Sequence, residues 1–147
     1  MKFCPPSDNG GTLDYSLIES ISERHLDDLA ALYENEWWCR GRSRDDIRRM
    51  LDGTEVVLGL VDRDDRLVGF TRVLSDGVYK ALIFDVIVAP ECRDRKLGRV
   101  LMDAVVNHPK LKNVQHLELY CLPELEPFYE RWGFTSELGR LRFMRRC

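Results

Sequence analysis

Apolar residues in the first third of the chain recur at the spacings of one strand and two helices. Residues 1–12 are rich in Pro, Gly, Ser and Asn, which predicts a loose leader, and 13–21 form a strand-like run. Ser22 begins a predicted helix with apolar positions on one face, at Leu26, Leu29, Ala30 and Tyr33. Ser43 and Asp46 resemble a capping box, so a second, short helix is predicted to follow them.

The middle of the chain carries three strand-like runs. TEVVLGLV (54–61) and LVGFTRVL (67–74) flank a polar turn, which predicts a hairpin. A turn at 75–77 then leads to VYKALIFDVIV (78–88), and Pro90 marks its end. This third run is apolar on both faces, as expected for a central strand that is covered on both sides.

The last third predicts a crossover between parallel strands. A helix follows the third run, with one apolar stripe of Leu97, Val100, Leu101, Ala104 and Val105. A further strand at 114–120 is then predicted to lie parallel to the third run. Apolar residues at helical spacing predict a helix over 125–132, and 141–146 read as a last edge strand. The order of elements predicts a mixed α/β sheet in a single domain spanning 1–147.

Composition and charge exclude several classes of protein. The 147 residues are 44% hydrophobic and 32% charged, as in ordinary globular proteins, and a net charge of −3 predicts neither nucleic-acid nor membrane binding. No apolar run approaches the roughly 20 residues of a membrane helix, and the N-terminus lacks the apolar core of a signal peptide. The five cysteines are scattered without a CxxC pair, and no histidine stands at ligand spacing. These features predict reduced cysteines, no metal site and a cytoplasmic protein.

A cationic loop stands out against this acidic background. It follows the buried strand ending Val88-Ala89-Pro90 and opens a strongly periodic helix, with four cations at Arg93, Arg95, Lys96 and Arg99. Backbone N–H groups and the positive end of a helix dipole favour a phosphate at such a position. The loop matches neither GxxxxGK nor GxGxxG. It therefore predicts a site for a phosphorylated ligand that is neither a Walker loop nor a dinucleotide fingerprint.

Two motifs together resemble the GNAT superfamily of acyl-CoA-dependent N-acyltransferases. Their signature of a V-x-P strand end, R/Q-x-x-G-x-G/A and a helix is matched by Arg93-x-x-Lys96-x-Gly98, and an aromatic-Tyr-x-x-x-Gly-Phe segment is matched by FYERWGF (128–134). The resemblance covers roughly 13–146. It implies a mostly antiparallel sheet with parallel central strands, flanked by helices, and acetyl-CoA as co-substrate without a metal.

The resemblance also implies how acetyl-CoA binds. The backbone of three strand residues would pair with the pantetheine amides, and the loop amides from Asp94 to Arg99 would hold the pyrophosphate. The implied binding residues are Val86, Ile87, Val88, Arg93, Asp94, Arg95, Lys96, Leu97, Gly98 and Arg99. Lys96 replaces the first glycine of the family's loop, so it either narrows the pocket or replaces a backbone contact with a charge. Asp94 adds a charge that repels phosphate.

The resemblance and the residues point to two catalytic candidates. Tyr129 occupies the position from which a family tyrosine protonates the departing thiolate, and its alternative role is a core aromatic on one stripe with Leu125 and Trp132. Asp85 interrupts an apolar run, which would raise its pKa and fit it as a base, directly or through water, or for orienting the substrate. Its alternative is a structural carboxylate paired with Lys80, Arg72 or a backbone amide.

The acceptor pocket is expected at the junction of the first two helices. Trp37, Trp38 and Arg42 lie there, and adjacent tryptophans cannot both face the core of a helix, so one is a candidate for lining a pocket. The alternative is an aromatic clamp that holds the helices on the sheet.

The expected function is transfer of acetyl from acetyl-CoA to a primary amine of a small molecule or peptide. The amine would attack directly in a ternary complex, so Cys121 is not needed as a nucleophile. A non-catalytic CoA-binding or interaction module of the same fold stays open as an alternative, and so does a homodimer. An unrelated nucleotide-binding domain is disfavoured, because both phosphate-loop motifs are absent.

Overall fold

The computed structural model describes residues 14–147, except for the side chains of residues 94 and 95. The predicted leader, residues 1–12, lies outside this part. The strands are β1 (Ser16–Ile18), β2 (Val56–Val61), β3 (Leu67–Ser75), β4 (Lys80–Val88) and β5 (His116–Glu118). The α-helices are α1 (Glu23–Glu34), α2 (Arg44–Asp52), α3 (Leu97–Val106) and α4 (Glu126–Glu130). Two 3₁₀ helices cover Pro90–Arg95 and Pro123–Leu125.

The five strands form one mixed sheet in the order β1-β2-β3-β4-β5. The first four strands are antiparallel neighbours, while β5 is parallel to β4 and is reached through α3. Both the hairpin of β2 and β3 and the mixed α/β sheet with flanking helices are therefore confirmed.

Helices cover both faces of the sheet. Adjacent strand residues point to opposite faces, and Gly69 and Phe70 on β3 contact different helices. A Cβ atom at Gly69 would lie 3.5 Å from the Leu101 side chain of α3, whereas the Phe70 ring meets the Tyr33 ring of α1 edge-on at 6.0 Å. Burial of a large apolar side chain such as Phe70 stabilises the fold by about 1.5–3 kcal/mol. Covered on both faces, β3 and β4 form the rigid centre of the molecule.

Local signals place the ends of several elements. The Ser43 hydroxyl accepts a hydrogen bond of 3.1 Å from the Asp46 amide, which caps α2 as predicted. In the turn before β4, the Asp76 carboxylate accepts hydrogen bonds from the amides of Val78, Tyr79 and Lys80. These bonds lower the pKa of Asp76 and fit it as a turn former. β4 therefore begins at Lys80 rather than at Val78.

The last predicted strand is wrong. Residues 141–146 form no strand, because no edge of the sheet pairs with their backbone within the described chain. Other elements are shorter than predicted: the run at 13–21 gives a strand only at Ser16–Ile18, and 114–120 gives one only at His116–Glu118. The helix predicted over 125–132 is α4 preceded by a 3₁₀ turn.

The expectation that every cysteine is reduced is also wrong. Cys92 is disulfide-bonded, whereas Cys39, Cys121 and Cys147 are free. Burial raises the pKa of the Cys39 thiol to about 11 and also raises the pKa of Cys121. Neither thiol is therefore activated as a nucleophile.

Candidate active site

The two parallel strands of the sheet separate and open a cleft. β4 pairs with β5 only from Lys80 to Leu82, but it continues to Val88, where its other edge still pairs with β3. The edge of Val86–Val88 that faces away from β3 therefore has no strand beside it in the described chain. A cleft of about 570 Å³ lies along it, within the size range of small-molecule sites.

A β-bulge bends β4 shortly after its last pair with β5. Phe70 pairs with Ile87 and Arg72 pairs with Phe84, so Thr71 lies opposite two residues of β4. One of these two is Asp85, whose φ of 55° is left-handed. The buried Thr71 hydroxyl donates a hydrogen bond of 2.8 Å to the Phe84 carbonyl and holds the bulge in place. A bulge bends its strand and increases the local twist, which favours the separation of β4 from β5.

The cationic loop forms one wall of the cleft. The 3₁₀ helix Pro90–Arg95 leads to Lys96, which adopts a left-handed conformation with φ of 59° and ψ of 23°, and α3 begins at Leu97. A lysine in this conformation costs about 1–2 kcal/mol, and glycine adopts it freely. The requirement for a left-handed residue explains why a glycine suits this position of the motif. The backbone of Asp94 and Arg95 belongs to the 3₁₀ helix, and their side chains lie outside the described part.

Gly98 allows an aromatic ring to pack on the first turn of α3. A Cβ atom at this position would lie 3.3 Å from Cζ of Phe128, so a larger residue would push the ring away. Both residues line the cleft, together with Leu125 and Tyr129. The second glycine of the motif therefore joins the loop to the α4 side of the cleft.

Several cations of the cleft have no carboxylate partner. Lys96, Arg99 and Arg131 line it, and none of them forms an ion pair within the described residues. Arg93 differs, since its Nη2 atom lies 2.7 Å from Oε1 of Glu36 and its Nε donates to the Val88 carbonyl at 3.3 Å. Burial raises the pKa of Glu36 even though Arg93 opposes the shift. Formal positive charge therefore exceeds negative charge on this wall, which suits an anionic ligand.

Tyr129 lies on the opposite wall of the cleft, with its side chain in the core. It is 9% exposed, and its ring contacts Phe128 edge-on at 4.9 Å. Burial, assisted by the neighbouring Cys121, raises the pKa of Tyr129 to about 12. No hydrogen bond to its hydroxyl is found among the residues that the structure describes. A protonated phenol without a protein partner can donate to a ligand, so this geometry is compatible with both roles considered for Tyr129.

Asp85 forms the centre of a buried polar network. Its Oδ2 atom accepts hydrogen bonds from Tyr33 Oη at 3.0 Å, from Arg42 Nη1 at 3.1 Å and from Arg72 Nε at 2.7 Å. The Asp85 side chain is only 4% exposed, and the Arg42 guanidinium stacks over the Tyr33 ring at 4.5 Å. Burial and then the charge of Asp85 raise the pKa of Tyr33 far above its ordinary value.

The network bears on the two roles considered for Asp85. The pairing with Arg72 is present, whereas Lys80 forms its ion pair with Glu118 instead. A carboxylate oxygen that already accepts from three donors has little capacity to take a proton from an amine. The geometry thus favours a role in orienting neighbouring groups over the role of a general base.

The three residues expected at the acceptor pocket are in different surroundings. Trp38 lines the cleft, whereas Trp37 is 70% exposed and meets the Trp38 ring edge-on at 5.9 Å. Arg42 belongs to the Asp85 network rather than to the cleft wall. The network is therefore centred on the bulge in β4, and the cleft lies along Val86–Val88.

Four residues that line the cleft were missed by sequence reasoning as site residues. These are Glu36, Leu125, Phe128 and Arg131. Phe128 and Arg131 lie within the segment FYERWGF that was singled out for Tyr129, so the motif was a signal for them. Glu36 had no such signal, because only the tertiary fold brings the end of α1 next to Arg93. Within the described chain there is no group of three or more residues suited to hold a metal ion, and no helix suited to cross a membrane.

The chain is similar to acetyltransferases over most of its length. A model of the acetyltransferase (GNAT) domain matches residues 25–144. Serotonin N-acetyltransferase 2, chloroplastic, from Oryza sativa subsp. japonica is 34% identical over 70% of this chain, and the match spans 53% of that protein. The chain thus spans about half the length of this relative.

Two crystal structures share the fold. A GNAT-family protein from Xanthomonas campestris pv. campestris has 31% sequence identity and a TM-score of 0.75, covering 90% of this chain and 93% of that one. A protein from Deinococcus radiodurans R1 assigned as an acetyltransferase has 27% identity and a TM-score of 0.75, covering 90% and 89%. This chain therefore shares its overall fold with both structures.

Proposed function

Since the chain belongs to the GNAT family of acetyltransferases, we propose that it transfers an acetyl group from acetyl-CoA to a primary amine. The observation that carries the proposal is the free edge of Val86–Val88 beside the cleft. This edge offers backbone N–H and C=O groups to an extended ligand that carries amides, and the pantetheine arm of acetyl-CoA is such a ligand.

The donor is expected to lie along β4 with its pyrophosphate at the start of α3. The helix dipole and the loop amides favour an anion there, and Lys96 and Arg99 add charges without a carboxylate partner. Arg93, in contrast, is already paired with Glu36. We expect a bound pyrophosphate to compete with Glu36 for Arg93.

Acetyl-CoA supplies a thioester whose carbonyl carbon the neutral amine attacks. A C–N bond forms, the C–S bond breaks, the amine loses a proton, and the thiolate gains one. Tyr129 supports the last step, because it lines the cleft, its hydroxyl has no partner among the described residues, and a pKa of about 12 keeps it protonated. An amine that arrives as a cation first loses one proton to solvent and then attacks in its neutral form. Its second proton also passes to solvent after the attack, and the Tyr129 phenolate regains a proton from solvent. Cys121, whose pKa is raised by burial, takes no covalent part.

The acceptor is expected on the α1–α2 side of the cleft. Trp38 offers an aromatic wall there and Glu36 a carboxylate, a combination that suits an amine arriving as a cation. Asp85 contributes by holding Arg42 and Tyr33 in place rather than by removing the proton. The relative from rice is named for serotonin, but the match covers about half of that protein, so we propose only a primary amine of a small molecule or peptide.

The runner-up is a CoA-binding or interaction module that does not turn over. It is favoured by one observation, the side-chain-bearing Lys96 at the left-handed position of the loop. A thermal-shift panel of acetyl-CoA, CoA, ATP and NAD tests donor binding, and we expect stabilisation by the CoA pair alone. Release of free CoA on addition of amines then separates the enzyme from the module. Equal stabilisation by ATP and NAD would contradict CoA binding, and absence of CoA release with a broad amine panel would favour the module.

The cytoplasm is the proposed location, because Cys39, Cys121 and Cys147 are free, although Cys92 is disulfide-bonded. Two relatives, from Oryza sativa and Arabidopsis thaliana, carry chloroplastic in their names, which says where those proteins lie. Fractionation of the source cells, followed by immunoblotting, is the test. Recovery of the protein with an organelle fraction would overturn the proposal.

A further inference from the structure

Arg42 and Arg72 have hydrogen-bonding capacity that Asp85 does not use. Arg42 donates to Oδ2 of Asp85 through Nη1, and Arg72 donates to the same atom through Nε. Neither arginine forms an ion pair with another carboxylate of the described chain. Neither guanidinium has a nitrogen that is both buried and without a partner, so the N–H groups that Asp85 does not bind reach solvent. Both arginines can therefore donate to a ligand while they remain paired with Asp85.

The charges of the network do not cancel. Two guanidinium groups share one carboxylate. Tyr33 and Cys39 add no negative charge, because burial raises the pKa of the Tyr33 phenol far above its ordinary value and the pKa of the Cys39 thiol to about 11. The Asp85 side chain is 4% exposed and that of Arg42 is 31% exposed, so the excess positive charge lies towards solvent. One anionic group of a ligand would balance this charge.

Aromatic rings fix the planes of both guanidinium groups. The Arg42 guanidinium lies over the Tyr33 ring at 4.5 Å, and that of Arg72 lies over the Phe84 ring at 4.6 Å. A planar guanidinium binds a carboxylate or a phosphate through two parallel N–H donors. Because stacking and the bond to Asp85 already hold the two side chains, little conformational entropy remains to be lost when such a group binds.

The network lies beside the end of the cleft where the thioester is expected. α3 begins shortly after Val88, so a pyrophosphate at the start of α3 lies at the Val88 end of the free edge. The pantetheine arm then runs along the edge towards Val86, and Asp85 is the next residue of β4. Trp38, which lines the cleft, lies in the same loop between α1 and α2 as Arg42. An acceptor that reaches the thioester is therefore expected to pass close to the network.

We propose that Arg42 and Arg72 bind an anionic group of the acceptor, a carboxylate or a phosphate, and thereby direct its amine at the thioester. The acceptor is then a small molecule that carries both a primary amine and an anionic group. Glu36 and Trp38 suit the amine end, and the two arginines suit the anionic end. This inference rests on the proposed function, whose substrate class it names, and it explains why Asp85 holds two arginines in place.

Turnover of matched primary amines by the full chain tests the proposal. ω-Amino acids of increasing chain length and the corresponding aminoalkyl phosphates are compared with alkylamines of the same length, and release of free CoA is measured. We expect kcat/KM at the best length to be roughly 10–100-fold higher for the anionic amine than for its neutral counterpart, mainly through a lower KM. The carboxylate and phosphate series distinguish the two sources of the anion. Equal kcat/KM for anionic and neutral amines at every length would overturn the proposal.

Arg42→Gln removes the more exposed guanidinium and should abolish most of the preference for anionic amines. Turnover is normalised to folded protein, because loss of an ion pair with the buried Asp85 also lowers stability. Arg42→Lys keeps the charge but lacks the planar fork, so it should retain the fold and lose part of the preference. The matched control is Arg40→Gln, an exposed change in the same loop, which should keep the full preference. Equal preference in Arg42→Gln and Arg40→Gln would exclude Arg42 from the acceptor site.

A measurement without turnover separates this proposal from the proposed function. The Nε–H resonances of Arg42 and Arg72, assigned by nuclear magnetic resonance with the two Arg→Lys variants, are followed as inorganic phosphate is added. The chain is saturated with CoA, which occupies the other expected anion site. We expect both resonances to shift, and that of Arg72 to shift less in Arg42→Gln. If these shifts appear but no amine releases CoA, the anion site stands and the transfer function fails. Resonances that respond neither to phosphate nor to the anionic amines would overturn the anion site, even if neutral amines are acetylated.

Discussion

The Asp85 network at the bulge of β4 and the cleft along Val86–Val88 differ in whether their charged groups have protein partners. In the network, the two guanidinium groups and the Tyr33 phenol all meet one carboxylate oxygen at 2.7–3.1 Å. In the cleft, Lys96 and Arg99 form no ion pair with a described carboxylate, and the Tyr129 hydroxyl has no partner among the described residues. The charged groups of the network therefore bind one another, whereas the cations and the phenol of the cleft are available to a ligand.

The same contrast distinguishes the two buried tyrosines, Tyr33 of the network and Tyr129 of the cleft. Tyr33 and Tyr129 are both buried and both have a raised pKa, but only Tyr33 has a charged acceptor next to it. Removal of one partner from a buried, fully paired group destabilises a structure, whereas a buried group without a partner costs free energy unless a ligand supplies the partner. Variants of the network should therefore change stability first, and variants of the cleft should change binding or rate first.

The largest effect is expected from Tyr129→Phe. The substitution keeps the ring in the core and removes only the proton donor, so kcat should fall by about 10²–10⁴-fold with little change in CoA affinity. Turnover normalised to folded protein measures it. Because the pKa of Tyr129 is about 12, kcat of the native chain should not decline as the pH rises through 10, the ordinary pKa of a tyrosine.

Tyr33→Phe is the matched control for this change. It removes a hydrogen bond to a buried carboxylate, so the free energy of unfolding should fall by about 1.5–3 kcal/mol, while turnover per folded molecule stays near that of the native chain. Native rates in Tyr129→Phe would assign its hydroxyl to the core. Equal rate losses in the two variants would remove the distinction between the regions.

Asp85→Asn should have the largest effect on stability. It leaves Arg42 and Arg72 beside a neutral amide, and removal of one partner from a buried ion pair costs about 3–5 kcal/mol. We expect the lower end of this range, because Arg42 is 31% exposed and solvent screens its charge. Urea unfolding measures the loss, with the exposed Asp103→Asn as control. A variant of native stability whose rate falls ever more steeply as pH decreases would instead make Asp85 the base.

Arg99→Glu should weaken CoA binding by roughly tenfold at low salt. The change removes one attraction to the pyrophosphate and adds one repulsion, each worth about 0.5–1 kcal/mol at an exposed site. Calorimetric titration at two ionic strengths measures it, and the difference should shrink at high salt. Lys112→Glu, an exposed change outside the cleft, should leave affinity unchanged. Native affinity of Arg99→Glu at low salt would exclude Arg99 from the donor site.

Glu36→Gln tests whether the ion pair with Glu36 limits the contribution of Arg93 to CoA binding. Arg93 is paired with Glu36, so removal of this carboxylate should free Arg93 for the pyrophosphate and raise CoA affinity by roughly 2–5-fold. The same titration decides, with Glu34→Gln, an exposed change at the last residue of α1, as control. A fall in affinity would mean that Glu36 holds Arg93 in its binding position.

The smallest effect is expected from Lys96→Gly, which restores the glycine of the motif. Relief of the left-handed conformation should raise the free energy of unfolding by up to about 1 kcal/mol. CoA binding should be equal or tighter if Lys96 only narrows the cleft, and weaker if its ammonium contacts phosphate. Unchanged affinity together with an unchanged salt dependence would place the pyrophosphate elsewhere.

Sequence reasoning predicted the helices and the central strands well, because their apolar periodicity is local. Two motifs placed eight of the cleft-lining residues, among them Val86–Val88 and Tyr129, and the junction of the first two helices placed a ninth, Trp38. It could not predict Glu36 beside Arg93 or Tyr33 beside Asp85, since 57 and 52 residues separate these partners in the chain. It failed for 141–146, where the pattern is that of a strand but no edge of the same chain pairs with it.

The sequence by itself determined the order of elements, the mixed sheet and the family, because periodicity, turn residues and two loop motifs are properties of neighbouring residues. It also located the cations and the tyrosine of the cleft. The tertiary structure alone decided which charges have partners. The bulge at Asp85 places one carboxylate within hydrogen-bonding distance of two arginines. The separation of β4 from β5 opens the cleft that Lys96 and Arg99 line. Pairing depends on distances between remote segments, and those distances exist only in the folded chain.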